Sequence, residues 1–384
     1  MVRVEKFIPG GFSIGTNEDG KKIFFWNALP GEVVEEFQIT KNKPSYAEAI
    51  ATRVSEYSPY RVDPHDNCFL STSPWQILNY DYELEQKSLL IKEVFREHDI
   101  DIEQPNIITD GKDYFYRNKM EYALYYDHNT TKISLAFHIR GSHRKIPIVS
   151  SSLEHPEIFK KAQEIIENLN KHGEEARKYQ SLLLRCNQNG EVSGGLYENH
   201  HPHPEFNNLT DVILGQTYSY SPNGFFQINL PIYELALQEI KKHIATNNVL
   251  DLYAGVGTIG LSVACDKNLT LVEVDKSAYH ELAKNSKNHQ NAKTILEKSE
   301  NVLDYIAPEQ TVILDPPRAG CERKLIDRLL EMAPIKIIYL SCNPSTQARD
   351  IKILLEKYKI DLIRAYNFFP HTPHIENLVI LSRA

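Results

Sequence analysis

Apolar and polar positions alternate in short bursts over residues 1–57, with turn residues between them. Val2, Val4 and Phe7, then residues 10–15, 19–25, 33–39 and 47–54, predict five short strands, and Asp19-Gly20 is a hairpin signal between two of them. Five strands at this spacing predict a small barrel of the OB type. The pattern then changes. Leu84, Leu89, Leu90, Ile91, Val94 and Phe95 recur at helical spacing and predict a helix over 81–98 with one buried face. Strands dominate 114–147, and residues 153–178 are mostly helical, with Phe159, Ala162, Ile165, Ile166 and Leu169 on one stripe. Residues 182–186 read as a strand, and 191–217 continue in strand and loop. From 218 onward strands alternate with helices. Apolar runs at 249–252, 270–274, 294–296, 312–314, 335–340, 360–365 and 378–381 predict a seven-stranded doubly wound α/β sheet, its last two strands forming an antiparallel hairpin at one edge. Asn229-Leu230-Pro231 opens a helix, with proline near its start.

These patterns divide the chain into an N-terminal OB-like β-barrel (1–57), a central α+β domain (58–215) and a C-terminal α/β domain (216–384). With 384 residues and 41% apolar content the chain can bury several cores. No stretch is long enough to span a membrane and the N-terminus lacks an apolar signal core, so a cytoplasmic protein without a membrane partner is expected. A monomer is expected as well. The five cysteines are scattered without a C-x-x-C pair, which predicts neither a disulfide framework nor a metal site. Pro202 splits the run His200-His201-Pro202-His203, which reads as a solvated loop.

The net charge of −8 argues weakly against a nucleic-acid partner, but its distribution is uneven. Residues 111–146 carry seven Lys and Arg against three acids, with Tyr114, Phe115, Tyr116, Tyr122, Tyr125 and Tyr126 among them. Cations and aromatic rings together suit single-stranded RNA; they equally suit a solvated antiparallel sheet packed with tyrosines.

Candidate chemistry lies at the ends of the C-terminal strands, where open α/β sheets bind ligands. The run 337–340 stops at Ser341-Cys342-Asn343-Pro344, so Cys342 is a candidate nucleophile, and the helix after it is expected to favour the thiolate. A buried, inert cysteine is the competing reading. Gly255, Gly257 and Gly260 form a G-x-G-x-x-G turn after a strand, and Glu273 ends the next strand. That arrangement fits a dinucleotide or S-adenosylmethionine. Asp251 before the glycines is expected to face the cation of a methionine moiety, which tilts the choice towards the latter. Asp315 precedes two prolines that stiffen its loop, and Glu376 enters the final apolar strand, where desolvation would raise its pKa towards that of a useful base.

Ser221-Pro222-Asn223-Gly224-Phe225-Phe226-Gln227-Ile228-Asn229, Asp251-Leu252-Tyr253-Ala254-Gly255-Val256-Gly257, Asp315-Pro316-Pro317-Arg318-Ala319-Gly320, Ser341-Cys342-Asn343-Pro344 and Phe369-Pro370-His371-Thr372-Pro373-His374-Ile375-Glu376 occur in this order. Together they resemble the RNA uracil-5-methyltransferase family. The barrel, through Gly10-Gly11, Asp19-Gly20-Lys21 and Leu29-Pro30-Gly31-Glu32-Val33, resembles the TRAM domain of RNA-modifying enzymes. The resemblance implies a class I S-adenosylmethionine-dependent methyltransferase domain and RNA-binding roles for the barrel and central domain. It implies that Cys342 adds to C6 of a uracil, that C5 takes the methyl group, and that Glu376 removes the C5 proton. Gln227, Tyr253, Thr258, Glu273, Ser299 and Asp315 would line the cofactor pocket, and Arg318 would orient RNA or its own loop. Thr258 and Ser299 depart from the residue types usual there. The expected substrate is a uridine of 23S rRNA, with transfer RNA as the alternative. Members with an iron–sulfur cluster need several thiolates after the barrel; this chain has Cys68 alone, so no cluster is expected. A nicotinamide-dependent dehydrogenase and a non-catalytic RNA-binding module are the competing readings from other classes.

Overall fold

Small side chains close the first sheet into a barrel. The computed structural model describes residues 1–199, 201–203 and 206–384. Strands β1 (Val2–Phe7), β2 (Ser13–Thr16), β3 (Lys22–Trp26), β4 (Val33–Asn42) and β5 (Tyr46–Glu56) form a closed barrel in the order β1-β2-β3-β5-β4. Val2, Val4, Ile23, Phe25 and Val34 point inward, and Ala47, Ala49 and Ala51 on β5 leave room for so narrow a barrel to close. The Asp19-Gly20 turn joins β2 to its antiparallel partner β3, with Gly20 at φ 80°.

A short helix, α1 (Phe69–Thr72), leads to the long helix α2 (Tyr80–Glu97). The Asn79 side chain caps α2 by accepting from the N–H groups of Asp81 and Tyr82. After β6 (Ile107–Ile108) come β7 (Lys119–Asp127), β8 (Lys132–His138), β9 (Lys145–Ile148), α3 (Pro156–Lys171), β10 (Tyr179–Cys186), β11 (Val192–Glu198) and β12 (His201–His203). The last six strands build an antiparallel sheet in the order β12-β11-β10-β7-β8-β9, with α3 packed on Tyr122, Leu124, Leu135, Leu182 and Leu184. His200 lies outside the described residues. His201–His203 is an edge strand rather than the expected loop, a position that tolerates Pro202 because one side of an edge strand needs no donor.

The hairpin β13 (Leu209–Ile213) and β14 (Gln216–Tyr220) is followed by α4 (Leu230–Lys242), β15 (Asn248–Leu252), α5 (Thr258–Val263), β16 (Asn268–Glu273), α6 (Lys276–Asn285), β17 (Ala292–Leu296), β18 (Thr311–Leu314), α7 (Arg323–Met332), β19 (Lys336–Ser341), α8 (Pro344–Leu354), β20 (Tyr358–Tyr366) and β21 (Glu376–Arg383). The C-terminal sheet runs β17-β16-β15-β18-β19-β21-β20-β6. Strands β15 to β19 are parallel, and β21 lies antiparallel between β19 and β20.

This sheet has eight strands where seven are expected. The extra one is β6, which pairs with Ala365 and Tyr366. Ile91, Val94 and Phe95 of α2 likewise join the core of Val312, Leu314 and Ile351, and Leu209, Ile213, Tyr218 and Tyr220 of the second hairpin join the core on the other face. Residues 80–108 and 209–220 therefore pack with the C-terminal sheet. The expected boundary at 215/216 runs through sequence that this sheet has recruited, and 80–108 is drawn to it from inside the expected central domain. Among the described residues no helix is long and apolar enough to cross a membrane.

Candidate active site

The strand order reverses between β15 and β18, and at that switch point the carboxyl ends of the parallel strands open a crevice. A cavity of about 1050 Å³ lies there. Gln227, Tyr253, Thr258, Glu273, Ser299, Asp315, Cys342 and Glu376, scattered over the last 158 positions of the sequence, all line it.

The glycine turn owes its shape to backbone that side chains rarely permit. Tyr253, Gly255 and Gly257 have φ of 64°, 58° and 92°. The Glu273 carboxylate fastens the turn to the end of β16, accepting from the N–H of Gly255 at 2.7 Å, of Val274 at 2.8 Å and of Asp275 at 2.6 Å. The Tyr253 hydroxyl donates to the Glu300 carboxylate, which brings Ser299 to the cavity wall. Thr258 and Tyr233 share a hydroxyl hydrogen bond of 2.9 Å at the start of α5. A Cβ on Gly255 would meet no atom within 4 Å, so the turn leaves open space for a ligand to approach its backbone. Apolar walls, open backbone and strand-end carboxylates suit an adenosine-type cofactor that carries positive charge.

Asp251 departs from expectation. It is fully buried and does not line the cavity; Oδ2 accepts from Gly260 N–H at 2.8 Å and Oδ1 has no partner. A Cβ on Gly260 would stand 2.6 Å from Oδ2, so this glycine is what lets the carboxylate approach α5. Burial pushes the Asp251 carboxyl up to about 8. It secures the turn from beneath rather than facing a methionine cation.

The stretch 221–229 forms another wall and is held by the central sheet. Asn118 donates to the Gln227 carbonyl at 3.0 Å, Lys119 to Asn223 O at 3.1 Å, and Arg185 to the carbonyls of Gly224 and Phe226. Several cations of the basic central segment thus serve packing. Arg140 lies over the Trp26 ring at 4.2 Å, Lys145 donates to Leu124 O, and Tyr122 is buried against Glu154. Lys112, Lys132 and Arg144 remain exposed. Phe225, 74% exposed, stands at the cavity rim.

Cys342 follows β19, and Glu376 opens the neighbouring strand β21. Burial, then the nearby Glu376 and Asp315 carboxylates, push the Cys342 thiol up to about 11, with Arg318 opposing. The start of α8 does not outweigh them, so Cys342 holds its proton, contrary to expectation. Burial raises Glu376 well above the usual carboxylate range, again opposed by Arg318, and raises Asp315 to about 7.

The loop before Glu376 rests on groups that sequence patterning does not single out. Lys87 and Glu83 of α2, both fully buried, pair at 2.7 Å; Lys87 also donates to the Asn367 side chain at 2.6 Å, and Glu83 accepts the His371 N–H at 2.9 Å. His371 has φ 60°. A usable signal existed: Glu83 and Lys87 fall on the stripe that continues through Leu90, Ile91 and Val94, where apolar residues would be expected. The barrel reaches the same loop, for Trp75 donates to Gly11 O at 3.0 Å and its own N–H bonds the His371 carbonyl.

Residues 302–384, which carry Cys342 and Glu376, match the tRNA (uracil-5-)-methyltransferase family model. An uncharacterized RNA methyltransferase of Lactobacillus johnsonii is 29% identical, over 95% of this chain and 94% of its own length. Another, from Fusobacterium nucleatum, is 27% identical over 100% and 95%. The fold matches the crystal structure of Pyrococcus abyssi tRNA (uracil-54, C5)-methyltransferase in complex with S-adenosyl-L-homocysteine, with a TM-score of 0.76 and 24% identity over 99% of this chain and 100% of that one. The chain is thus similar over nearly its full length to RNA methyltransferases, and over the strands bearing the thiol and the buried carboxylate to the tRNA (uracil-5-)-methyltransferase family.

Proposed function

We propose that the protein methylates C5 of a uridine in 23S rRNA, with Cys342 as nucleophile and Glu376 as base. The observation that carries this reading is that Cys342 and Glu376 share one cavity with Gln227, Tyr253, Thr258, Glu273, Ser299 and Asp315. C5 of uracil is a poor nucleophile. Addition of the Cys342 sulfur to C6, with the thiol proton passing to the uracil O4 as charge builds there, breaks the ring conjugation and makes C5 an enol-type carbon nucleophile. The glycine turn and Glu273 would hold S-adenosylmethionine, which would supply an electrophilic methyl group to C5 and leave as S-adenosylhomocysteine. Glu376 then takes the C5 proton, the C6–sulfur bond breaks and the double bond returns. A base with a raised pKa holds that proton well, and a thiol that stays protonated until substrate arrives resists side reactions. The target base must leave its stack to reach Cys342, with exposed Phe225 at the entrance.

RNA containing 5-fluorouridine should trap a denaturation-stable adduct on the wild type and none on Cys342→Ala. Glu376→Gln should accumulate adduct on ordinary RNA, and free turnover in that variant would refute the base assignment. For the substrate, 5-methyluridine is mapped in ribosomal and transfer RNA from cells with and without the gene. The barrel, as a docking module for folded RNA, supports 23S rRNA. Transfer RNA is a second reading, favoured by the match over the entire length of the Pyrococcus abyssi tRNA (uracil-54, C5)-methyltransferase. Loss of a ribosomal 5-methyluridine supports the first; loss confined to transfer RNA supports the second.

A further inference from the structure

A second cavity, of about 270 Å³, adjoins the first and shares Cys342, Arg318 and His374 with it. Its remaining walls include Pro9 of the barrel, Leu90 and Val94 of α2, and Pro373 of the loop before Glu376. Glu376, Asp315 and Gln227 are absent from its lining, so the base that reacts at C5 belongs in the larger cavity. The volume is just under the ~300 Å³ at which pockets begin to take whole small-molecule ligands, which leaves room for one planar base.

We infer that this cavity is a subsite for the nucleotide next to the target uridine, so that the barrel, α2 and the catalytic loop together grip the strand while the uridine reacts. The inference rests on the function proposed above. Three observations carry it. The cavity is continuous with the reactive thiol, so a strand whose uridine meets Cys342 has its neighbour at this opening. Leu90, Ile91, Val94 and Pro373 give it an apolar side on which a base face can rest, and Asn343, Ser345 and His374 give it polar groups that can meet a base edge. Arg318 stands where the two cavities join and is exposed; its guanidinium reaches His374 Nδ1 at 3.5 Å and makes no ion pair with a carboxylate among the described residues, and its backbone carbonyl is fixed by Asn343 Nδ2 at 2.9 Å and Thr346 Oγ1 at 3.2 Å. An anchored cation without a carboxylate partner at the junction of two base-sized spaces is placed for the phosphate that links two nucleotides. Lys87 also borders the cavity, but its ammonium is committed to Glu83, Asn367 and Phe369.

The test uses total RNA from cells lacking the gene and grown with 5-fluorouracil. The full-length enzyme and S-adenosylmethionine are added, the trapped complex is digested in the native state with a nonspecific ribonuclease, and the remnant on the Cys342 peptide is weighed by mass spectrometry. The wild type should retain the modified uridine with at least one neighbouring nucleotide. Leu90→Trp, which fills the cavity from α2, should retain a remnant shorter by one nucleotide. A lone uridine on the wild type, or equal remnants on both proteins, overturns the subsite. Absence of any adduct on the wild type overturns the role of Cys342, and the subsite with it; an adduct without a protected neighbour removes the subsite alone.

Discussion

Replacing Lys87 by methionine tests whether α2 holds the catalytic loop. The change keeps the length of the side chain and removes a fully buried ammonium 2.7 Å from Glu83. Removing one partner of a buried ion pair costs about 3–5 kcal/mol, because a charge is left without compensation. Two features set the value within that range. Glu83 keeps the His371 N–H, which reduces the loss, whereas the Asn367 side-chain oxygen loses its donor, which adds to it; the Phe369 carbonyl keeps Thr372. We expect a loss of about 4 kcal/mol, read from urea unfolding with an unchanged m-value. The double variant Glu83→Leu with Lys87→Met would be near neutral for an isolated pair. Here it strands the His371 N–H as well, so it should recover less than half of the loss. Because the loop leads directly into Glu376, kcat should fall on the order of 10²-fold, as for an ångström-scale misplacement, with S-adenosylmethionine affinity unchanged. A single variant within about 1 kcal/mol of wild type and fully active, or a double variant as stable as wild type, would refute the reasoning.

Asp251 holds a proton up to about pH 8 when folded and only to its ordinary carboxylate value when unfolded. Its contribution to stability is therefore fully present below the unfolded pKa and is lost as pH rises through about 8; Asp251→Asn should flatten that decline, measured as urea midpoints at pH 5 and pH 9. Gly11 has φ 89°, and a Cβ there would lie 2.2 Å from Pro373 Cβ, so Gly11→Ala should push the barrel off the catalytic loop and cut turnover, while circular dichroism shows the strands intact. Glu273→Gln leaves one of the three backbone N–H groups poorly matched, and calorimetry should show at least tenfold weaker S-adenosylmethionine binding. Alkylation of Cys342 in the free enzyme, followed on its peptide, should be slow at pH 7 and rise about tenfold per pH unit towards 11; a plateau near pH 7 would show a thiolate already formed.

The strand ends that carry chemistry were legible along the chain because each is a local pattern. An apolar run followed by Asp315-Pro316-Pro317, Ser341-Cys342 or Gly255-x-Gly257 defines its own strand and its own stop, and parallel strands place such stops on one side of a sheet. The barrel was legible for the same reason, since its alternation and turns are local. Long-range partnerships were not. Ile107–Ile108 is too short to show a period, and it becomes a strand only because Ala365 and Tyr366 offer an open edge. The helix beside the Cys342 thiol predicts easy ionisation, yet burial, and after it two carboxylates distant in sequence, set the opposite direction. Asp251 reads as a ligand from its place before the glycines, but the close approach of Gly260 turns it into the core. Periodicity and turn chemistry thus determined the elements and the loops that bear the reactive groups. Only tertiary packing decided which charges meet, which are desolvated, and how the barrel, α2 and the last loop converge on one thiol, because those energies depend on neighbours that the chain brings together from hundreds of residues apart.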